Sequence, residues 1–134
     1  MNRIIFIAFL LVPGFVSAQD LLSDTVTWES SSYRNLKTGN TLTRDLSFVT
    51  YGASRFDFVF PGQTLTFDVT SYEGTWADLA VPGNIVFHII TGDTSGTVEM
   101  VRDGAGKLTL TIDLTSASPD GIKNQYFVDQ ATTP

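Results

Sequence analysis

The chain has 134 residues, of which 43% are hydrophobic, with no cysteine and a single histidine. That is one domain's length with enough apolar content for a real core, and it excludes disulfides, thiolate metal sites and His-clustered metal centres. Fourteen acidic residues against eight basic ones give a net charge of −6, which disfavours nucleic acid and anionic membrane surfaces as partners.

The first segment is a leader. Arg3 precedes an unbroken apolar run from Ile4 to Val12, followed by Pro13-Gly14 and then by Val16-Ser17-Ala18 before Gln19. The run is about half the length a membrane-spanning helix needs, and small residues stand where a signal peptidase cuts. Residues 1–18 therefore read as a cleaved signal helix and residues 19–134 as a single exported domain, periplasmic or extracellular. Removing Arg3 with the leader leaves 7 basic and 14 acidic residues. Without a cysteine, no lipid-acceptor residue follows the cleavage point, and a disulfide-free exported domain of this size fits a bacterial envelope.

The remaining chain alternates apolar and polar residues in short runs, which reads as all-β. The predicted strands cover 25–34, 41–51, 55–60, 63–73, 84–91, 96–103, 107–115 and 121–129. Turn residues separate them, including Thr38-Gly39-Asn40, Gly52-Ala53-Ser54, Pro61-Gly62, Pro82-Gly83, Gly92 to Gly96, Asp103 to Gly106 and Ser118 to Gly121. Eight strands in sequence order point to an antiparallel up-and-down barrel or a rolled sandwich. Ala131 to Pro134 reads as a short frayed tail.

Hairpin registers follow from keeping one face apolar, because a slip of one residue turns the apolar set outward. Around Pro61-Gly62, Phe56 is expected opposite Phe67 and Phe58 opposite Leu65, with Arg55 facing Asp68 as an ion pair. A three-residue loop ending in a left-handed Gly106 sets Asp103 opposite Lys107, Met100 opposite Leu110 and Val98 opposite Ile112. Treating Gly92 to Gly96 as a loop pairs Ile89 with Val98 and Phe87 with Met100.

This arrangement lines up His88, Glu99 and Thr111 on the opposite face of three neighbouring strands. A histidine beside a carboxylate has the composition of an acid/base pair, and a hydrolase built on His88 and Glu99 is the third functional reading. A cross-strand surface pair explains the same residues without chemistry, and the chain has no Gly-x-Ser-x-Gly elbow. The Asp93 and Asp103 loops lack calcium-ligand spacing and read as hairpin turns; no metal or cofactor is expected. Asp57, Glu73, Asp78, Glu99 and Asp113 include no pair that the pattern singles out for glycoside cleavage.

Ser71 to Leu79 places Tyr72 and Trp76 on either side of Gly74, which reads as a bulge or bend that turns Trp76 into a barrel end. Gly74-Thr75-Trp76 resembles the Gly-x-Trp signature of the lipocalins and their calycin relatives, secreted barrels in which that tryptophan closes the base and the lumen holds a small apolar ligand. In that family the motif opens the first strand, whereas four candidate strands precede it here, and the family's paired cysteines have no counterpart. The resemblance implies a closed barrel with Trp76 at its base.

A non-enzymatic binding domain is the leading expectation, with Phe56, Phe58, Phe67, Phe87 and Trp76 around a small hydrophobic ligand or simply filling the core. The alternative is an envelope or secreted scaffold that meets a protein or glycan through Ser30-Ser31-Ser32 and Thr109 and Thr111. Trp28 and Tyr33 then become exposed contacts; in a ligand-binding barrel they become lining. The strands are too short and too polar on both faces outside the core, and the end Gln130 to Pro134 lacks the closing aromatic, for a membrane-spanning barrel.

Overall fold

The computed structural model describes residues 21–76, 78–114 and 121–134. The leader at 1–18 and the turn residues 118–120 lie outside the described residues. Eight strands form one closed antiparallel barrel: β1 (Thr25–Asn35), β2 (Thr41–Tyr51), β3 (Arg55–Phe60), β4 (Gln63–Glu73), β5 (Gly83–Thr91), β6 (Thr94–Arg102), β7 (Leu108–Leu114) and β8 (Ile122–Thr132). Each strand pairs with the next, and β8 returns to β1, so the ladder has no free end and the sandwich alternative falls away.

Period-two patterning makes these strands. On β7, Leu108, Leu110, Ile112 and Leu114 are buried, while Thr109, Thr111 and Asp113 between them remain half-buried. Ile85, Phe87 and Ile89 do the same on β5, and Val98 and Met100 on β6. The Pro61-Gly62 hairpin has the expected register, with Phe56 opposite Phe67 and Phe58 opposite Leu65. The β6–β7 hairpin also agrees: Met100 opposes Leu110, Val98 opposes Ile112, and Gly106 has a φ of 86°.

Three expectations need correction. The β5–β6 register is two residues from the predicted one, with Phe87 opposite Val98, Ile85 opposite Met100 and Ile89 opposite Gly96. The cause is a two-residue turn at Gly92-Asp93, closed by Thr91 opposite Thr94, with Gly92 at a φ of 55°. A positive φ at the first central position suits the right-handed twist of a hairpin. A two-residue slip keeps the faces, so the apolar layer survives. Arg55 does oppose Asp68, but its ion pair is with Asp57 at 3.4 Å, because its guanidinium stacks 3.9 Å from the Tyr51 ring centroid on the other side. The tail is not frayed through Thr132: Ala131 and Thr132 pair with Trp28 and Thr27, closing the barrel.

The two ends of the barrel differ. At the end carrying the start of β1 and the loop after β4, Gly74 has a φ of 95° and ends β4, and Trp76 turns inward to 3% exposure. Its indole lies 6.2 Å from that of Trp28 and donates from Nε1 to the Val81 carbonyl at 3.0 Å. Leu21 and Leu79 are buried beside it. Arg102 ties this plug down, donating from Nε to the Leu79 carbonyl at 2.6 Å and from a terminal nitrogen to the Gly106 carbonyl at 2.9 Å. Above the plug, Phe48 packs against Phe56, Phe58 and Tyr126 at centroid separations of 5.8, 4.8 and 4.8 Å. The opposite end, where β1, β3, β5 and β7 finish, is the mouth.

Candidate functional site in the barrel mouth

Strand parity changes next to the mouth. The pairing of β1 with both neighbours shifts between Ser30 and Ser32, so Tyr33 points inward although it is out of phase with Trp28. Tyr33 then faces Tyr126 of β8, with ring centroids 5.0 Å apart. Leu42, Arg44, Leu46 and Phe48 follow the inward phase of β2, which carries a cation onto an otherwise apolar stripe.

These residues surround a cavity of about 220 Å³. Its walls are Tyr33 of β1, Arg44 and Leu46 of β2, Phe58 and Phe60 of β3 and Leu65 of β4. Leu114 of β7 with Ile122, Asn124 and Tyr126 of β8 close the circle. The rim is greasy: Leu36, Leu42, Leu65 and Ile122 each leave more than a third of their surface exposed. The polar groups are few. The Asn124 amide donates to the Tyr126 hydroxyl oxygen at 3.1 Å. Tyr126 is only 2% exposed, and burial pushes its phenol up to about 12, so its hydroxyl keeps its proton. The Arg44 guanidinium lies 5.9 Å from the Phe60 ring centroid.

Of the residues expected to contact a ligand, Phe58 lines this cavity, whereas Phe56, Phe67 and Phe87 are packed below it in the core. Phe56 joins Phe48 and Phe67, while Phe87 meets Tyr72 edge-on at 6.5 Å. Trp76 is at the far end. Trp28 is fully buried, its indole N–H donating to Thr50 Oγ1 at 3.1 Å, and both it and Tyr33 are lining rather than exposed contacts.

The polar set separates. Glu99 does oppose Thr111, but His88 opposes Thr97, and its ring Nε2 lies 2.6 Å from Glu73 of β4. Glu99 accepts instead from the Asn84 amide at 3.2 Å. The register shift at the Gly92-Asp93 turn moved His88 out of line with Glu99. His88 and Glu73 sit on the exposed outer wall, where such a pair contributes about 0–1 kcal/mol.

The serine run is divided too. Ser30 is buried and donates to the Ser32 carbonyl at 2.9 Å, while Ser31 donates to Asp129 at 2.7 Å. Ser31 and Asp129 flank an outer groove of about 680 Å³ that also meets Glu29, Asp45 and the Pro61-Gly62 turn. Its lining mixes Leu46, Val59, Phe60 and Pro61 with serines and the carboxylates of Glu29, Asp45 and Asp129, and it is larger and more open than the mouth.

Arg44, Asn124 and Tyr126 are functional candidates that sequence patterning passes over. An arginine in phase with Leu42, Leu46 and Phe48 was the available signal for the first. The others needed the β1–β8 pairing, which no hairpin announces. Comparison with known protein families, curated proteins and solved structures found no match.

Proposed function

We propose that the domain is an exported, non-enzymatic barrel that holds a small hydrophobic ligand in its mouth. The observation that carries this reading is the cavity of about 220 Å³ between Tyr33, Phe58, Phe60 and Tyr126, set on an aromatic floor and rimmed by exposed leucine and isoleucine. Moving an apolar ligand from water into such a site gains about 25 cal/mol for each Å² buried. The plug at Trp76 supports a cup rather than a channel, in keeping with the lipocalin-like reading of Gly74-Thr75-Trp76. The apolar side chains face inward and the outer wall carries threonine, serine and charged residues, the reverse of a lipid-facing barrel. Export rests on the leader at 1–18.

Titration with octan-1-ol, followed by NMR of the aromatic rings, tests the reading. Tyr33, Phe60 and Tyr126 should shift and saturate together while Trp76 stays in place, and Leu65→Trp, which fills the mouth from its rim, should abolish the response. Shifts confined to the outer wall, or an equal response in Leu65→Trp, would refute it.

A further inference from the structure

We infer that the mouth prefers a small carboxylate amphiphile, its anionic head received by Arg44 and the Tyr126 hydroxyl and its hydrocarbon by the aromatic floor; this rests on the reading of the mouth as a ligand site. The charge on the cavity wall is the first argument. In a chain with fourteen acidic and eight basic residues, the wall contains one charged side chain, Arg44, and no carboxylate.

That cation is uncommitted. Among the described residues Arg44 forms no ion pair and donates no hydrogen bond; its guanidinium lies 5.9 Å from the Phe60 ring centroid. A guanidinium presents a planar fork of donors that matches a carboxylate with two parallel bonds. Arg44 is itself exposed at the mouth, so its fork is open to an incoming head group, while Leu46 and Phe58 are buried in the apolar wall below it.

Tyr126 supplies a second donor. Its oxygen already accepts from Asn124 at 3.1 Å, which leaves the hydroxyl proton for an incoming acceptor. Burial keeps that proton in place across the neutral range. An ammonium head would meet Arg44 as a like charge and find no anion to pair with, and an alcohol would forgo the ion pair.

Size narrows the class. A cavity of about 220 Å³ has the volume of about seven liquid waters. That accommodates a carboxylate with a short alkyl segment or one ring, and a longer tail must leave past the exposed rim. Octanoate is therefore the probe, with octan-1-ol and octylamine as head-group variants of the same chain.

Affinities of the three for the mature protein, measured by the same ring-signal titration, decide the matter. Octanoate should bind about ten- to a hundredfold more tightly than octan-1-ol, the range expected of charge-assisted hydrogen bonds, and octylamine should bind least. Arg44→Gln should bring octanoate down to the level of octan-1-ol, and Tyr126→Phe should lower the octanoate affinity severalfold. His88→Ala, on the outer wall, serves as the control that leaves the ranking as it was. If octanoate and octan-1-ol bind equally, or if the octanoate advantage survives Arg44→Gln, the head-group assignment is overturned while the mouth remains a ligand site. If none of the three binds, the ligand reading fails and takes this inference with it.

Discussion

Tyr126 gathers several of the protein's constraints in one side chain. It packs against Tyr33, Phe48 and Phe58, accepts from Asn124 and is nearly inaccessible to water. Burial disfavours the phenolate, raising the group from an ordinary 10.0 to about 12. The sign of the linkage follows. Between those two values the unfolded chain gives up this proton and the folded chain keeps it, so stability is full below pH ~10 and falls as pH rises through ~12. The loss attributable to this residue is about 2–3 kcal/mol. Urea unfolding of wild type and Tyr126→Phe at stepped alkaline pH should show it as a difference that closes; a constant difference would place the phenol in water. At the same scale, Arg55 shows how a correct register leaves a side chain's partner undecided. The guanidinium had Asp68 across the hairpin but lies between the Tyr51 ring and Asp57, since a cation stacked by its face keeps its in-plane N–H groups free for a carboxylate.

Elements were legible where a hairpin and an alternating pattern agreed. The Phe56–Phe67 and Met100–Leu110 pairings followed from placing apolar residues on one face with a glycine where the turn needs it. The β5–β6 hairpin departed from this because Gly92, Asp93 and Gly96 all have turn chemistry, and patterning alone cannot choose among registers that differ by two residues. Gly96 belongs to the strand for a different reason: a β-carbon there would collide with the Asp113 carbonyl on β7. Gly96→Ala should therefore destabilise the barrel by about 2 kcal/mol or more, through forced separation of β6 from β7 rather than through the turn. A fall in the urea midpoint with loss of hydrogen-exchange protection on both strands checks this, and an unchanged midpoint counts against it. Parity breaks were the other illegible feature. The irregularity at Ser31 put Tyr33 inside, and it depends on two neighbouring strands at once, one of them, through Asp129, 98 residues further along the chain.

Across the whole molecule, composition foretold the class and order of strands but not the difference between the two ends. Trp76 was marked in advance by its glycine bend, so the plug could be read; the mouth draws on β1, β2, β3, β4, β7 and β8 and exists only once the barrel has closed. Net charge was similarly blind to position, since an acidic chain leaves the one charge lining the mouth positive. The closing seam carries a further consequence. β1 begins and β8 finishes at the plugged end, with Thr27 directly opposite Thr132, and every other strand pairing joins neighbours in the chain. The backbone is thus close to a ring cut at one point, and the position of the cut is incidental to the fold. Joining Pro134 to Leu21 through a short glycine-serine linker and opening the chain between Gly92 and Asp93 should give a circular permutant with the parent's near-ultraviolet spectrum, its new ends emerging beside the mouth instead of beneath the plug.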